Sequence, residues 1–126
     1  MSLLMKALVL LWAAFFAYTG AMGLVDPASY AAIGLPELEG AARNTVRADL
    51  SAFFLVSAGA AAVGALAPGK AEWLHVPAAL FACALVGRGI GVLLGDPLPG
   101  VVQTSMIAEA VSVMLLLLAA RVIDRS

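Results

Sequence analysis

Cys83-Ala-Leu-Val-Gly87-Arg88-Gly89-Ile-Gly91-Val-Leu-Leu-Gly95-Asp96 is an apolar, glycine-striped stretch with a single arginine in its interior. It reads as part of a helix inside a membrane. In hydrocarbon a guanidinium costs from about 3 to more than 10 kcal/mol, depending on the method of estimate, so Arg88 must face protein or water and needs a partner. At a spacing of four, Ala79, Cys83, Gly87, Gly91 and Gly95 share one side of the helix. They form a small-residue groove into which a second helix can press. Gly87, Gly91 and Gly95 are therefore expected as helix-packing positions, with Arg88 on the border of the groove. Packing alone would also account for the glycines.

The rest of the chain has the same character. Of 126 residues, 63% are hydrophobic and 12% charged, against roughly half and a quarter in soluble proteins. The length suits one domain, residues 1–126. The net charge of -1 provides no basic face for nucleic acid. Cys83, the single cysteine, cannot form an internal disulfide and reads as a small packing residue.

Four apolar runs are long enough to span, at about 3–24, 45–67, 73–94 and 101–123. The first carries Lys6 near its start and ends at Asp26-Pro27. Its rival reading is a cleaved signal peptide with Ala21-Met22-Gly23 as the small-x-small site, which three further spans disfavour. Between Asp26 and Gly40, turn formers and charges point to the membrane surface. Asp26 can cap a short interfacial helix with Pro27 at its first position and Gly34 past its end, placing Tyr30 at headgroup depth. The second run stops at Pro68-Gly69, and the third and fourth are joined by Asp96-Pro97-Leu98-Pro99-Gly100. The expected fold is an all-α membrane protein, four transmembrane helices in an antiparallel bundle.

Arg88 lies eight residues before Asp96, and Glu109 lies nine after Gly100. At ~1.5 Å per residue both sit ~12–14 Å below the same surface on adjacent helices, close enough to neutralise each other. On the second helix Arg43, Arg47 and Ser51 share a face, while Asp49 looks elsewhere and must meet water or a neighbouring helix. Lys6, Lys70, Arg121 and Arg125 gather on one side against Arg43 and Arg47 on the other, which predicts both termini in the cytoplasm.

Other chemistries fail on context. Gly87-Arg88-Gly89-Ile90-Gly91 looks like a dinucleotide-binding loop but sits deep in an apolar helical run, not between a strand and a helix. His75 is the single histidine, so bis-His haem ligation within one chain is excluded. No His/Cys/carboxylate cluster resembles a metal site, no cofactor is implied, and no serine has an evident base.

Asp26-Pro27 with Gly34-Leu35-Pro36, Asn44-Thr-Val-Arg47-Ala-Asp49-Leu-Ser-Ala-Phe-Phe54, Gly87-Arg88 with Gly95-Asp96, and Glu109-Ala110 together cover nearly the whole chain. In these runs it resembles the bacterial membrane family catalogued as domain of unknown function four-three-four-five. The resemblance implies a small four-helix protein of the bacterial inner membrane and singles out Arg47, Arg88 and Glu109. It supplies no activity. Where many members carry an acidic residue further into the second helix, this chain has Phe54, and Asp49 is the nearest substitute.

The functional expectation is a binding or accessory protein. Arg47, Asp49, Ser51, Arg88, Asp96 and Glu109 would line a small cavity in the outer half, taking an anionic or amphipathic small molecule or a lipid headgroup. A buried ion pair that merely sets helix register is the plainer account. The alternative function is a proton-coupled small-molecule transporter acting as an oligomer, with Glu109 carrying the proton. An intramembrane enzyme using Asp49 and Glu109 is a third reading. Expected partners are the bilayer and either further copies of the chain or a larger membrane complex.

Overall fold

The computed structural model describes residues 1–126 and contains helices and turns but no strands. Helix α1 runs Ser2–Val25, α2 Gly40–Leu66, α3 His75–Leu93 and α4 Gly100–Asp124. A seven-residue 3-10 helix, Pro27–Ile33, follows α1, and a 3-10 turn, Ala71–Leu74, leads into α3. All four long segments are long and apolar enough to cross a membrane, the third when its leading turn is included. The second helix starts at Gly40, earlier than its apolar run, so Arg43 and Arg47 are helical.

Local chemistry sets the boundaries. The Asp26 carboxylate accepts from the Ala28 N–H at 3.1 Å, Pro27 occupies the first helical position, and Gly34 ends the short helix with φ +98°. Helix α3 ends in a Schellman motif: the Asp96 N–H donates to the Gly91 carbonyl and the Gly95 N–H to the Val92 carbonyl, with Gly95 at φ +103°. Pro77 falls in the first turn of α3, where its missing N–H breaks no helical bond.

The main core is made of small side chains. Met5, Val9 and Ala13 of α1 meet Ala58, Ala61 and Ala65 of α2, with Leu74, Ala78, Leu116 and Ala119 closing the cluster. Small residues let helix axes approach closely, which is how apolar helices associate when burial from water contributes little. Gly20 and Gly64 lie so close to Leu55 and Leu74 that a Cβ at either would fall 2.8 Å or 2.7 Å from the facing leucine Cγ.

Polar contacts tie α1 to α4 both at the chain termini and midway along the helices. The Ser2 and Ser126 hydroxyls are 3.0 Å apart, and Trp12 Nε1 donates to Ser112 Oγ at 2.8 Å. Ser112 in turn donates to the Ala108 carbonyl at 2.7 Å. The Ser57 hydroxyl is buried without a hydrogen-bond partner.

Tyr30 of the short helix is 1% exposed, and its hydroxyl lies 2.6 Å from Ser51 Oγ. The 3-10 helix folds back over α1, and Gly23 supplies the space its ring fills.

Candidate functional site

A second cluster, aromatic in composition, lies beside the alanine core. Phe16 of α1 stacks on Phe54 of α2, with centroids 5.5 Å apart and rings 13° from parallel. Phe81 of α3 stands edge-on to Phe16 at 5.0 Å and lies 5.1 Å from Phe53. These wide, rigid rings leave space beside them. The result is a cavity of about 390 Å³, whose lining residues include Leu50, Phe53, Phe54, Phe81, Arg88, Ser105 and Glu109. Eleven of its fifteen lining residues are hydrophobic, so its polar groups are few and convergent.

Arg88 and Glu109 form the polar wall. Arg88 Nε donates to Glu109 Oε1 at 2.8 Å, the only ion pair in the chain. The expected meeting of these residues across the third and fourth helices is present. Their exposure differs: the Arg88 side chain is 31% accessible and that of Glu109 9%. Only Nε of the guanidinium is engaged, so the Nη1/Nη2 edge has no protein partner. That edge can make two parallel hydrogen bonds with a planar acceptor. Arg88 also lines a second groove on the surface, with Gly87, Gly91 and Asp96.

The remaining predicted residues are not gathered there. Arg47 turns to the end of α1, where its Nη1 donates to the Leu24 and Val25 carbonyls. These carbonyls end α1 with no helical N–H ahead of them, and Arg47 satisfies them. Ser51 is buried and occupied by Tyr30. Asp49 is exposed on α2. Asp96 is exposed in the groove beside Arg88, and its carboxylate covers Gly91. Of the six expected polar residues, the cavity therefore holds two.

The glycine stripe also behaves differently from the expectation of a packed helix pair. A Cβ at Gly87 would meet nothing within 4 Å, Gly91 faces the Asp96 side chain, and Gly95 serves to end α3. No helix of this chain lies on them.

The aromatic wall was missed from the sequence. Its only signal there is the repeated pair Phe15-Phe16 and Phe53-Phe54, which in apolar runs has no evident facing. Comparison with protein-family models, with characterised proteins and with solved structures finds no match to this chain.

Proposed function

We propose that the chain is an integral membrane protein of the bacterial inner membrane that binds a small amphipathic or anionic molecule between its helices. The four segments would cross the bilayer as an antiparallel bundle, with both termini cytoplasmic and the Pro27–Ile33 helix at the outer surface. The adjacency of Ser2 and Ser126, and of Trp12 and Ser112, supports that arrangement. Lys6, Lys70, Arg121 and Arg125 on the side of the termini support the orientation. The likeness to the four-helix family supports the architecture and is neutral on activity.

One observation carries the binding reading. An arginine with a free hydrogen-bonding edge stands in the wall of a cavity that is otherwise mostly apolar and aromatic. An ion pair that only fixed helix register would need neither the free edge nor the space beside it. Ring faces receive an apolar body and Arg88 receives the polar head, the division found in most small-molecule sites.

The test is thermal unfolding of the protein in lipid nanodiscs with a panel of single-chain amphiphiles of equal chain length. At least one is expected to raise the midpoint, and the shift should vanish in Arg88→Ala and in Ala108→Trp, which fills the cavity. A shift of equal size in both variants would overturn the reading.

A further inference from the structure

We propose that the cavity takes a small monocarboxylic acid together with one proton, a deepening that rests on the binding reading above. Size narrows the choice first. A volume of about 390 Å³ is at the low end of the roughly 300–1,000 Å³ typical of small-molecule pockets. At ~30 Å³ per water-sized unit it has room for on the order of a dozen heavy atoms. A whole two-chain lipid is too large to lie within it, whereas a single short chain or one substituted ring fits.

The head group follows from charge. Arg88 and Glu109 together are neutral, and Glu109 is the less accessible of the two. A carboxylate added beside them leaves one uncompensated negative charge against phenyl rings, which a low-dielectric site disfavours strongly. No other charge is available to offset it. The cavity faces of α1, α2 and the 3-10 helix present Phe15, Phe16, Leu50, Phe53, Phe54 and Ile33, none of them titratable. Arg47 is committed to the end of α1, Asp49 is exposed elsewhere, and Asp96 lies in the adjoining groove and would add to the repulsion.

A proton resolves the imbalance. Taken from bulk water, it is shared between the two carboxyl groups, and the site stays neutral. One carboxyl oxygen of the ligand accepts from the free Nη1/Nη2 edge of Arg88, and the other is joined to Glu109 through the proton. The uncommitted Glu109 Oε2 provides the acceptor. An alcohol reproduces only part of this pairing, and an ammonium head is repelled by Arg88.

The experiment is calorimetric titration of the protein in nanodiscs with octanoate, 1-octanol, octylammonium and octyl sulfate as probes. It is run at several pH values and in buffers of different ionisation enthalpy, which counts the protons taken up. The expected result is octanoate binding with about one proton absorbed. Octanoate is almost fully ionised at neutral pH, so affinity falls about tenfold for each unit that pH rises from 6 to 8. In Glu109→Gln the arginine is left uncompensated, so octanoate should bind without proton uptake and with no pH slope. Arg88→Ala should lose binding.

Octanoate binding at equal strength across that range, without proton uptake, overturns this inference while the cavity reading stands. So does tighter binding of octanol, octylammonium or octyl sulfate than of octanoate at pH 6. If no probe binds in a manner sensitive to Ala108→Trp, the cavity reading fails and this inference fails with it.

Discussion

The half of the molecule that holds both termini and the half that holds Arg88 are built from different side chains on the same helices. In the first, Ala58, Ala61 and Ala65 meet Val9 and Ala13, and the buried cluster is made mostly of alanines. In the second, Phe16, Phe53, Phe54 and Phe81 occupy the contacts and a cavity opens beside them. Small residues at the contacts close α1 tightly on α2 in the first half. Rings at the contacts leave an end with room in it. One helix set thus gives a close contact at one end and a cavity at the other, and the residue size at each contact decides which.

The comparison can be broken most directly at Ala61, which is 0% exposed. Ala61→Leu forces an isobutyl group between α1 and α2 and should destabilise by about 3 kcal/mol, the upper end of typical overpacking costs. Phe53→Leu, on the open side, should cost about 1 kcal/mol or less, because the ring borders empty space. Thermal unfolding in one detergent measures both, and equal losses would mean that the halves do not differ in packing.

The ion pair is the next lever. Arg88→Leu leaves Glu109 without its partner and should cost about 2 kcal/mol, below the usual range for a fully buried pair because Arg88 is partly accessible. Adding Glu109→Leu should recover most of that loss. A double variant equal to the sum of the two singles would show that the residues are uncoupled. Smaller and opposite in sign is Ser57→Ala in the closed half. Its hydroxyl has no partner, so removing it should raise stability by about 1 kcal/mol.

These contrasts also mark what could be read from the chain beforehand. Asp26-Pro27, Pro68-Gly69 and Asp96-Pro97 interrupt the apolar runs, so four segments could be delimited. Arg88 and Glu109 flank one short turn, so their depth reduced to counting residues. Facing could not be counted. In a mostly apolar helix, periodicity carries little information, because a phenylalanine suits lipid as well as protein. Phe16, Phe53 and Phe54 were therefore invisible as a wall. Ser51 shares a helix face with Arg47 by spacing, yet it was claimed by Tyr30, whose route over Gly23 depends on how the connecting segment folds. The glycine stripe failed for the same reason: spacing says that Gly87 and Gly91 are aligned, not that this chain supplies the helix to cover them.

That bare strip on α3 makes residue 87 a reporter on the surroundings. Alanine there collides with nothing inside the chain and favours the helix by roughly 0.5–1 kcal/mol over glycine. Surrounded by fluid acyl chains, Gly87→Ala should leave the protein as it was or slightly more heat-resistant. With a second polypeptide seated against that side, the same methyl group becomes a wedge, and detergent-solubilised particles should fall in mass.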